Sequence, residues 1–330
     1  MTGYVFAPTR IAHTAKSKRN KCDEKDAQNL LEILRAHLFA GNDLPAIWVP
    51  DPTTRDDREL VRARLDLVDK RTSLRTQVRT LLKRNDGAKP QGVGQGWTKP
   101  FKAWLESLIE SSTSPLGVGA RFALQSLLSQ LEGVEKAMKP LDTAIAALAQ
   151  AERYRPAVKV LVELKGVGEL TAMVYLTEMG DLRRFSNRRE VGSYLGLVPS
   201  SHESGPDADC KGHITHQGSP RIRRVLCQAE WSRVATEPEE KAWYEQVVAR
   251  NPKKKKVALV GGMRRLGILM WHRALEAVVA SETSVPAVEP APIASQTATT
   301  SVPAEGGKRK APAFAKGMKG ETMKTGASLA

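Results

Sequence analysis

The sequence predicts a mainly α-helical protein, and two observations support that prediction. Two long segments carry apolar side chains that return every seven residues, which is the spacing of paired helices. Aromatic residues are only 5% of the chain, so we expect helices packed through Leu, Val and Ala rather than a large β-sandwich. A chain of 330 residues is long enough for two or three modest domains.

The first region, 1–50, is predicted to hold the end of a short strand and one helix. The strand pattern runs from Val5 to Pro8, and a basic loop follows over Lys16–Lys21. From Asp26 onward, the apolar residues that share one helical face are Ala27, Leu30, Leu31, Leu34 and Leu38.

A helical connector is predicted over 51–153. Asp51-Pro-Thr-Thr-Arg opens its first long helix, whose leucines at seven-residue intervals are Leu60, Leu67, Leu74 and Leu81. The second long helix has apolar residues at alternating three- and four-residue steps, which are Leu124, Leu127, Leu131, Val134, Met138, Leu141, Ile145 and Leu148. We expect Gly133 and Pro140 to weaken or kink that helix, and 87–100 to form the loop between the two. The pattern predicts either an antiparallel pair within the chain or a dimeric coiled coil, which would make the protein a homo-oligomer.

The rest of the chain divides into a compact block and a tail. Residues 154–280 have short Gly-containing turns between helical segments, and include the lysine run Lys253–Lys256 before an apolar helix. Residues 281–330 are rich in Ser, Thr, Ala and Pro and then in scattered lysines. That composition cannot bury a core, so we expect a disordered basic tail.

The charge of the chain narrows the class of partner. Lys and Arg number 51 against 36 Asp and Glu, a formal net charge of +15 at pH 7. A surplus of this size favours polyanions, because each phosphate that is neutralised releases counterions. The sequence has no run of eighteen apolar residues and no secretion signal, and its three scattered cysteines favour a reducing compartment. We therefore expect no membrane partner, and a location in the cytoplasm at the nucleoid.

The first candidate site is a glycine hairpin, Gly166-Val-Gly168, between two apolar helices. Backbone N–H groups at the start of the second helix can bind a phosphate there, and the glycines allow a nucleic-acid backbone to approach closely. The alternative is an ordinary packing unit of two helices, because Gly-x-Gly alone is a weak signal. Cations that follow the hairpin favour phosphate contact, and these are Arg183, Arg184, Arg188 and Arg189.

The second candidate site is a serine that precedes a basic helix. Ser204 stands beside Gly205 and upstream of Lys211, and Ser219-Pro220 has the pattern of an N-cap and first helical residue. The cations that begin this helix are Arg221, Arg223 and Arg224. A serine hydroxyl near several cations can attack a phosphodiester, because the cations stabilise the charged transition state. From spacing alone, a turn residue is the more common role of such a serine.

The third candidate site is the pair of carboxylates in Asp23-Glu-Lys-Asp26. Side chains at i and i+3 project to one side of a helix and could share Mg²⁺, which prefers oxygen ligands. The alternative is a helix start, with Asp23 as the N-cap and Asp26 stabilised by the helix dipole.

A fourth pattern, Cys210-x-x-His213-x-x-His216 with Cys227, superficially resembles a zinc site. We do not expect zinc, because the spacing matches no common zinc finger and Cys227 falls inside a predicted helix.

The block from Leu164 to Arg224 resembles the C-terminal domain of the insertion-sequence 110 family of transposases. The matching runs are Gly166-Val-Gly-Glu-Leu-Thr-Ala, Gly180-Asp-Leu-Arg-Arg-Phe, Tyr194-Leu-Gly-Leu-Val-Pro, Ser204-Gly and Gly218-Ser-Pro-Arg-Ile-Arg-Arg. Residues 18–34 are similar to the end of that family's RuvC-like (RNase H-like) domain, and the whole resemblance covers residues 5–278.

The resemblance implies a fold and an activity. The fold would be a remnant of an RNase H-like α/β domain, then the coiled-coil connector, then a helical C-terminal domain with a helix-hairpin-helix-like element. The activity would be that of a DNA transposase or recombinase with a nucleophilic serine, matched by Ser204. Four metal-binding carboxylates belong to the family's site, and Asp23 and Asp26 match the last two, so Mg²⁺ is the implied cofactor. A structured guide RNA encoded by the element, and assembly around paired DNA ends, are implied as well.

One departure from the family keeps two hypotheses open. The family's first Asp and its Glu lie on strands upstream of anything in this sequence. We therefore expect either a strand-transfer enzyme or a catalytically inactive nucleic-acid-binding remnant of one, and we expect that the chain as given does not cut DNA by itself.

Overall fold

In the computed structural model, the described residues are 5–6, 22–44, 46–85, 96–111, 113–201, 211–250 and 252–283, together with the single positions 87, 90, 92 and 94. The basic tail expected over 281–330 lies outside the described residues beyond Thr283.

These residues form ten α-helices and one two-stranded sheet, so the prediction of a mainly α-helical protein is confirmed. The helices are α1 (Asp23–Ala40), α2 (Pro52–Arg84), α3 (Lys99–Glu110), α4 (Val118–Ala149), α5 (Arg155–Val162), α6 (Glu169–Met179), α7 (Arg188–Tyr194), α8 (Pro220–Thr236), α9 (Pro238–Arg250) and α10 (Lys255–Thr283). The strands β1 (Pro199–Ser201) and β2 (Lys211–Ile214) pair antiparallel between α7 and α8.

The predicted first helix is present as α1, but it has no buried side chain. It begins at Asp23, after Cys22 in extended conformation, and ends at Gly41 with φ +68°. Of the strand expected over Val5–Pro8, the described part makes one antiparallel bridge, from Phe6 to Ala46. The RNase H-like remnant therefore stays a prediction.

Helix α2 begins where the sequence predicts, at an N-cap formed by Asp51. The backbone N–H of Thr54 donates to Asp51 Oδ1 at 2.8 Å, and the Thr54 hydroxyl donates to Oδ2 at 2.5 Å. Those bonds, the hydroxyl bond above all, lower the pKa of Asp51. The first of them also satisfies a backbone donor that an uncapped helix end would leave free.

Helices α2 and α4 run antiparallel and pack against each other, which is the first of the two arrangements left open by the heptads. Ion pairs give the direction: Arg64 pairs with Asp142 at 2.5 Å, and Arg75 pairs with Glu135 at 2.8 Å. Helix α4 continues through Gly133 and Pro140 without ending. Assembly of several chains through these helices stays a prediction.

Helix α3 was not predicted, because the Gly- and Pro-rich loop was expected to extend to Pro100. Pro100 instead stands in the first turn of α3, where a missing N–H costs no hydrogen bond. Phe101, Leu105 and Leu108 are buried at helical spacing and pack with the adjoining halves of α2 and α4. The connector therefore has a small core of its own.

The main core surrounds α6, whose last eight residues are all buried. The N-terminal half of α2 packs on this helix, and three arginine contacts bind the end of α6. Arg58 donates to the carbonyl oxygens of Thr177 at 2.5 Å and Glu178 at 2.9 Å, and Arg184 donates to that of Met179 at 3.2 Å. Carbonyls at a helix end lack partners within the helix, so Arg58 fixes α2 to the core, and Arg184 fixes the turn that follows α6.

Candidate nucleic-acid interface

Gly166 and Gly168 lie between α5 and α6, and the two glycines have different surroundings. Gly166 has φ +79°, in the left-handed region that favours glycine. A Cβ at Gly166 would lie 2.5 Å from the carbonyl oxygen of Ala229 on α8, so packing within the chain also requires glycine there. At Gly168, no described atom lies within 4 Å of the Cβ position. The backbone is thus open to a ligand at Gly168 and closed by α8 on one side of Gly166.

Strands β1 and β2 flank the segment 202–210, which holds Ser204 and lies outside the described residues. Ser201 pairs with Lys211 next to that segment, so both of its ends start from one antiparallel ladder. The structure therefore describes the frame of the serine loop and not the serine itself.

The loop before β1 and the loop after β2 approach each other closely at two glycines. A Cβ at Gly196 would lie 2.7 Å from the backbone nitrogen of Gly218, and one at Gly218 would lie 2.1 Å from the carbonyl oxygen of Tyr194. Arg223 joins the same loops, because its Nη1 donates to the carbonyl oxygens of Gly218 at 2.6 Å and Leu195 at 3.4 Å. Burial lowers the pKa of the Arg223 guanidinium. We call this arrangement of Gly196, Gly218 and Arg223 the hairpin joint.

The other two arginines of the first turns of α8 are paired with α2. Arg221 pairs with Asp66 at 3.0 Å, and Arg224 pairs with Asp69. The two arginines stand three residues apart, as do the two aspartates, so the pairs form successive rungs between the helices. The arginine side chains are each 34% exposed, and solvent-accessible pairs of this kind are worth less than about 1 kcal/mol.

Arg183 and Arg184 are adjacent in sequence but differ in their contacts. Arg183 is exposed and pairs with Glu282 at the end of α10. The Arg184 guanidinium carbon lies 4.1–4.5 Å from the centres of three aromatic rings, those of Trp48, Phe185 and Tyr194. Burial lowers the pKa of Arg184.

Asp23 and Asp26 both lie in the first turn of α1, Asp23 exposed and Asp26 half-buried. The alternative that Asp23 is the N-cap was wrong, because Cys22 occupies that position and makes no side-chain cap. Among the residues that the structure describes, no group of three His, Cys, Asp or Glu side chains could hold a metal ion. Ser204 lies outside the described residues, so the structure gives no distance between it and these two carboxylates.

Of the zinc-like pattern, Cys210 also lies outside the described residues. His213 stands on β2, and His216 has a left-handed φ of 55° in the turn after it. Cys227 is half-buried on α8, where burial raises the pKa of its thiol.

Asp66 and Asp69, the acidic partners of the α8 arginines, were not among the candidate residues predicted from the sequence. Their spacing of three residues matches that of Arg221 and Arg224 and was visible in the sequence. The partners are 155 residues apart in sequence, so the spacing alone does not reveal that α2 and α8 lie side by side.

None of the described helices combines the length and the hydrophobicity that crossing a lipid bilayer requires.

In comparisons with known proteins, the matched part of the chain includes strands β1 and β2 and the hairpin joint. The family model described as "Transposase IS116/IS110/IS902 family" matches residues 158–245, from α5 into α9. The chain is 28% identical to the transposase y4qE of Sinorhizobium fredii over 298 residues, which are 83% of this chain and 69% of that protein. It is 29% identical to the transposase y4rJ of the same organism over 284 residues, 81% of this chain and 70% of that protein. The transposase for insertion sequence element IS1111A of Coxiella burnetii is 26% identical over 224 residues, 67% of this chain and 57% of that protein.

Proposed function

Because the chain belongs to the IS116/IS110/IS902 family of transposases, we propose that it supplies the Ser204 nucleophile and the magnesium ligands Asp23 and Asp26 for the cutting and rejoining of DNA strands. The observation that carries this proposal is the hairpin joint within the matched region 158–245. The joint fixes the frame from which both ends of 202–210 start, and a nucleophile has to be held in a defined position to react.

In the proposed step, the Ser204 oxygen attacks a phosphorus atom of the DNA backbone. An O–P bond forms to serine, the P–O bond to the departing strand oxygen breaks, and the serine proton is transferred to solvent while the departing oxygen takes up a proton. The phosphoserine ester conserves the energy of the broken strand. The hydroxyl of a second strand can then displace serine without an external energy source.

Asp23 and Asp26 fit magnesium by the chemistry of their donors. They offer two carboxylates from one side of a single helical turn, and neither is fully buried. Protein-bound Mg²⁺ is commonly held by one or two carboxylates together with waters and substrate phosphates. When bound, the ion would supply charge stabilisation to the phosphoryl transfer.

The proposal includes two partners besides DNA. One is a structured guide RNA encoded by the element, and the other is a further copy of the chain, assembled around paired DNA ends. Both rest on the family, and the basic composition of the chain, with a net charge of +15, suits either nucleic acid.

A second candidate function is nucleic-acid binding without strand cleavage. It is favoured by the finding that, in the described part of the chain, no third metal-binding side chain joins Asp23 and Asp26. Under this alternative, the chain would bind DNA and form no covalent product.

The experiment that tests the proposal is an assay for a protein–DNA adduct that survives denaturation. Full-length protein is incubated in Mg²⁺ with donor and target DNA and the element's RNA. Ser204→Ala should abolish the adduct and leave DNA binding nearly unchanged. Ser200→Ala is the matched control, because the Ser200 hydroxyl is already engaged in donating to the carbonyl oxygen of His213 at 3.0 Å.

The results separate the candidates. An adduct in the parent and in Ser200→Ala but not in Ser204→Ala supports the proposal. An adduct that persists in Ser204→Ala contradicts the assignment of the nucleophile. Binding without any adduct in the parent supports the second candidate function.

A further inference from the structure

Helix α7 carries two exposed arginines, Arg188 and Arg189, that pair with no acidic residue in the described ranges. The acidic side chain nearest to them in sequence, Glu190, is engaged in the helix cap. Its oxygens accept from the backbone of Ser186 at 2.9 Å and from the Asn187 side chain at 2.8 Å. The two arginines are therefore held on an ordered helix while their charges face solvent.

A third arginine approaches the same helix from α10. Arg264 lies against Gly192, where a Cβ would stand only 2.8 Å from the Arg264 Nε. Residues three and four positions apart share a helical face, so Arg188 and Arg189 lie on the face of α7 that carries Gly192. Glycine at 192 thus allows a guanidinium from α10 to lie beside the arginines of α7.

The basic character continues along α10 toward its start. Lys253–Lys256 are four consecutive exposed lysines, and none pairs with an acidic side chain in the part of the chain that the structure describes. Lys256 and Arg264 are separated by about 12 Å along the helix, given the rise of an α-helix. We call Arg188, Arg189, Arg264 and Lys253–Lys256 together the α7–α10 basic surface.

We propose that the α7–α10 basic surface binds the phosphate backbone of duplex DNA, whereas Arg221 and Arg224 remain bound to α2. This inference rests on the proposed function, in that it assigns the surface along which the transposase holds its DNA. Unpaired like charges repel one another, and a polyanion relieves that repulsion while releasing its own counterions. Arginines that already pair with aspartates gain less from a phosphate, because they must first give up a partner.

The choice of a duplex over a single strand follows from the shape of the surface and the chemistry it offers, and the choice of DNA over RNA rests on the proposed function. The three arginines lie on two packed helices, and the four lysines lie at the start of α10 and in the short turn before it, a spread that suits the regular row of phosphates on a duplex. Aromatic side chains for stacking unpaired bases are absent from the described residues that define the α7–α10 basic surface.

The experiment compares two double variants that remove the same number of arginines. Arg188→Gln/Arg189→Gln is the test, and Arg221→Gln/Arg224→Gln is the matched control. Full-length proteins are titrated into a labelled DNA duplex of unrelated sequence at several salt concentrations. The test variant should lose roughly tenfold in affinity, and the slope of log affinity against log salt should fall by about 2, since each phosphate contact contributes about 0.9. The control variant should lower the slope by less than about half of the fall expected for the test variant.

A second variant keeps the inference falsifiable if the first does not fold, as judged by circular dichroism. Lys253→Gln/Lys254→Gln changes exposed lysines outside the hydrophobic core and should lower the slope in the same way. Parent-like binding by both test variants overturns the inference, and so does an equal or larger loss in the arginine control. An effect seen with an RNA duplex and not with DNA also overturns it. The adduct assay on Ser204 is separate, so its failure would contradict the proposed function without changing these binding results.

Discussion

The first turns of α8 and the α7–α10 basic surface both carry several cations, and the two regions hold them differently. On α8, Arg221 and Arg224 pair with aspartates of α2, and Arg223 donates to backbone carbonyls. On the α7–α10 basic surface, the cations have no acidic partner among the described residues. Both regions look alike in sequence, because each takes its cations from short runs rich in Arg or Lys.

The difference teaches that a cluster of arginines can have either of two distinct roles. One role is internal: the guanidinium closes a loop or joins two helices, and its removal costs stability. The other role is external: the charge is kept free for a partner, and its removal costs binding. Of three predictions, the first and third test whether these roles are as separate as the contacts indicate, and the second concerns a buried carboxyl of α8.

The largest effect on stability is expected at Arg223. Replacement by Ala leaves the carbonyls of Gly218 and Leu195 without their donor at the hairpin joint, and should lower the free energy of unfolding by about 1–3 kcal/mol. Arg221→Ala should lower it by less than about 1 kcal/mol, because its pair with Asp66 is solvent-accessible. Urea unfolding of the two variants gives both numbers. Equal losses would show that the internal role is not specific to Arg223.

Farther along, α8 also carries a buried carboxyl group with no hydrogen-bond partner among the described residues. Glu230 is fully buried, and neither of its oxygens has a hydrogen-bond partner among the described residues. A Cβ at Gly262 of α10 would lie 2.0 Å from Glu230 Oε1, so the two helices meet at this carboxyl. Burial, and then the neighbouring Glu240 carboxylate, raise the pKa of Glu230 from 4.5 to about 7. Charge on this side chain is therefore disfavoured in the fold.

The second prediction is that this carboxyl makes stability depend on pH. Because the pKa of Glu230 is raised in the folded protein, the fold holds a proton that the unfolded chain has lost between pH 4.5 and about 7. The stabilising contribution is complete below that window and is lost as the pH rises through about 7. From pH 5.5 to 8.5, the free energy of unfolding should fall by about 2 kcal/mol.

Glu230→Gln should remove that fall, whatever it does to stability at a single pH. Exposed Glu239 on α9 supplies the control, because Glu239→Gln should leave the pH dependence of the parent in place. Urea unfolding at the lower and the higher pH measures how far the free energy of unfolding falls in each protein. A parent whose stability is the same at both would mean that Glu230 is ionised without penalty.

Sequence patterns predicted those parts of the fold that depend on local periodicity. The leucine heptads predicted α2 and α4, and Asp51 and Ser219-Pro220 predicted where two helices begin. Helix α3 was missed because a glycine- and proline-rich stretch leads into it, and burial of Phe101 rather than local preference stabilises it. Local pattern also favoured Asp23 as a cap, whereas the helix begins one residue earlier.

The candidate sites were less predictable, because they depend on contacts between distant segments. The resemblance to insertion-sequence 110 transposases was confirmed, yet the basic pattern that made Arg221 and Arg224 candidates did not reveal their partners on α2. Nothing in the neighbourhood of Gly166 in sequence reveals that Ala229 closes one side of it. The roles of Ser204, Asp23 and Asp26 stay predictions.

The third and smallest effect concerns the acidic residues that hold the α8 arginines. Asp66→Asn/Asp69→Asn removes the partners of Arg221 and Arg224 and leaves those two arginines in place. If pairing is what keeps them from phosphate, their release should raise the affinity for a DNA duplex by roughly three- to tenfold at about 0.1 M salt. The slope of log affinity against log salt should steepen by up to about 2. Anisotropy titrations at several salt concentrations measure both quantities.

Removing two negative charges anywhere would strengthen DNA binding to some extent, so the control must change the net charge equally. Asp43→Asn/Asp56→Asn does so at two exposed aspartates that form no ion pair among the described residues. Exposed ion pairs contribute little stability, so both double variants should keep the fold. A larger gain for Asp66→Asn/Asp69→Asn than for the control would show that the α8 arginines become available to DNA once released. Equal gains would mean that only net charge matters, and the distinction between paired and free arginines would then have no consequence for binding.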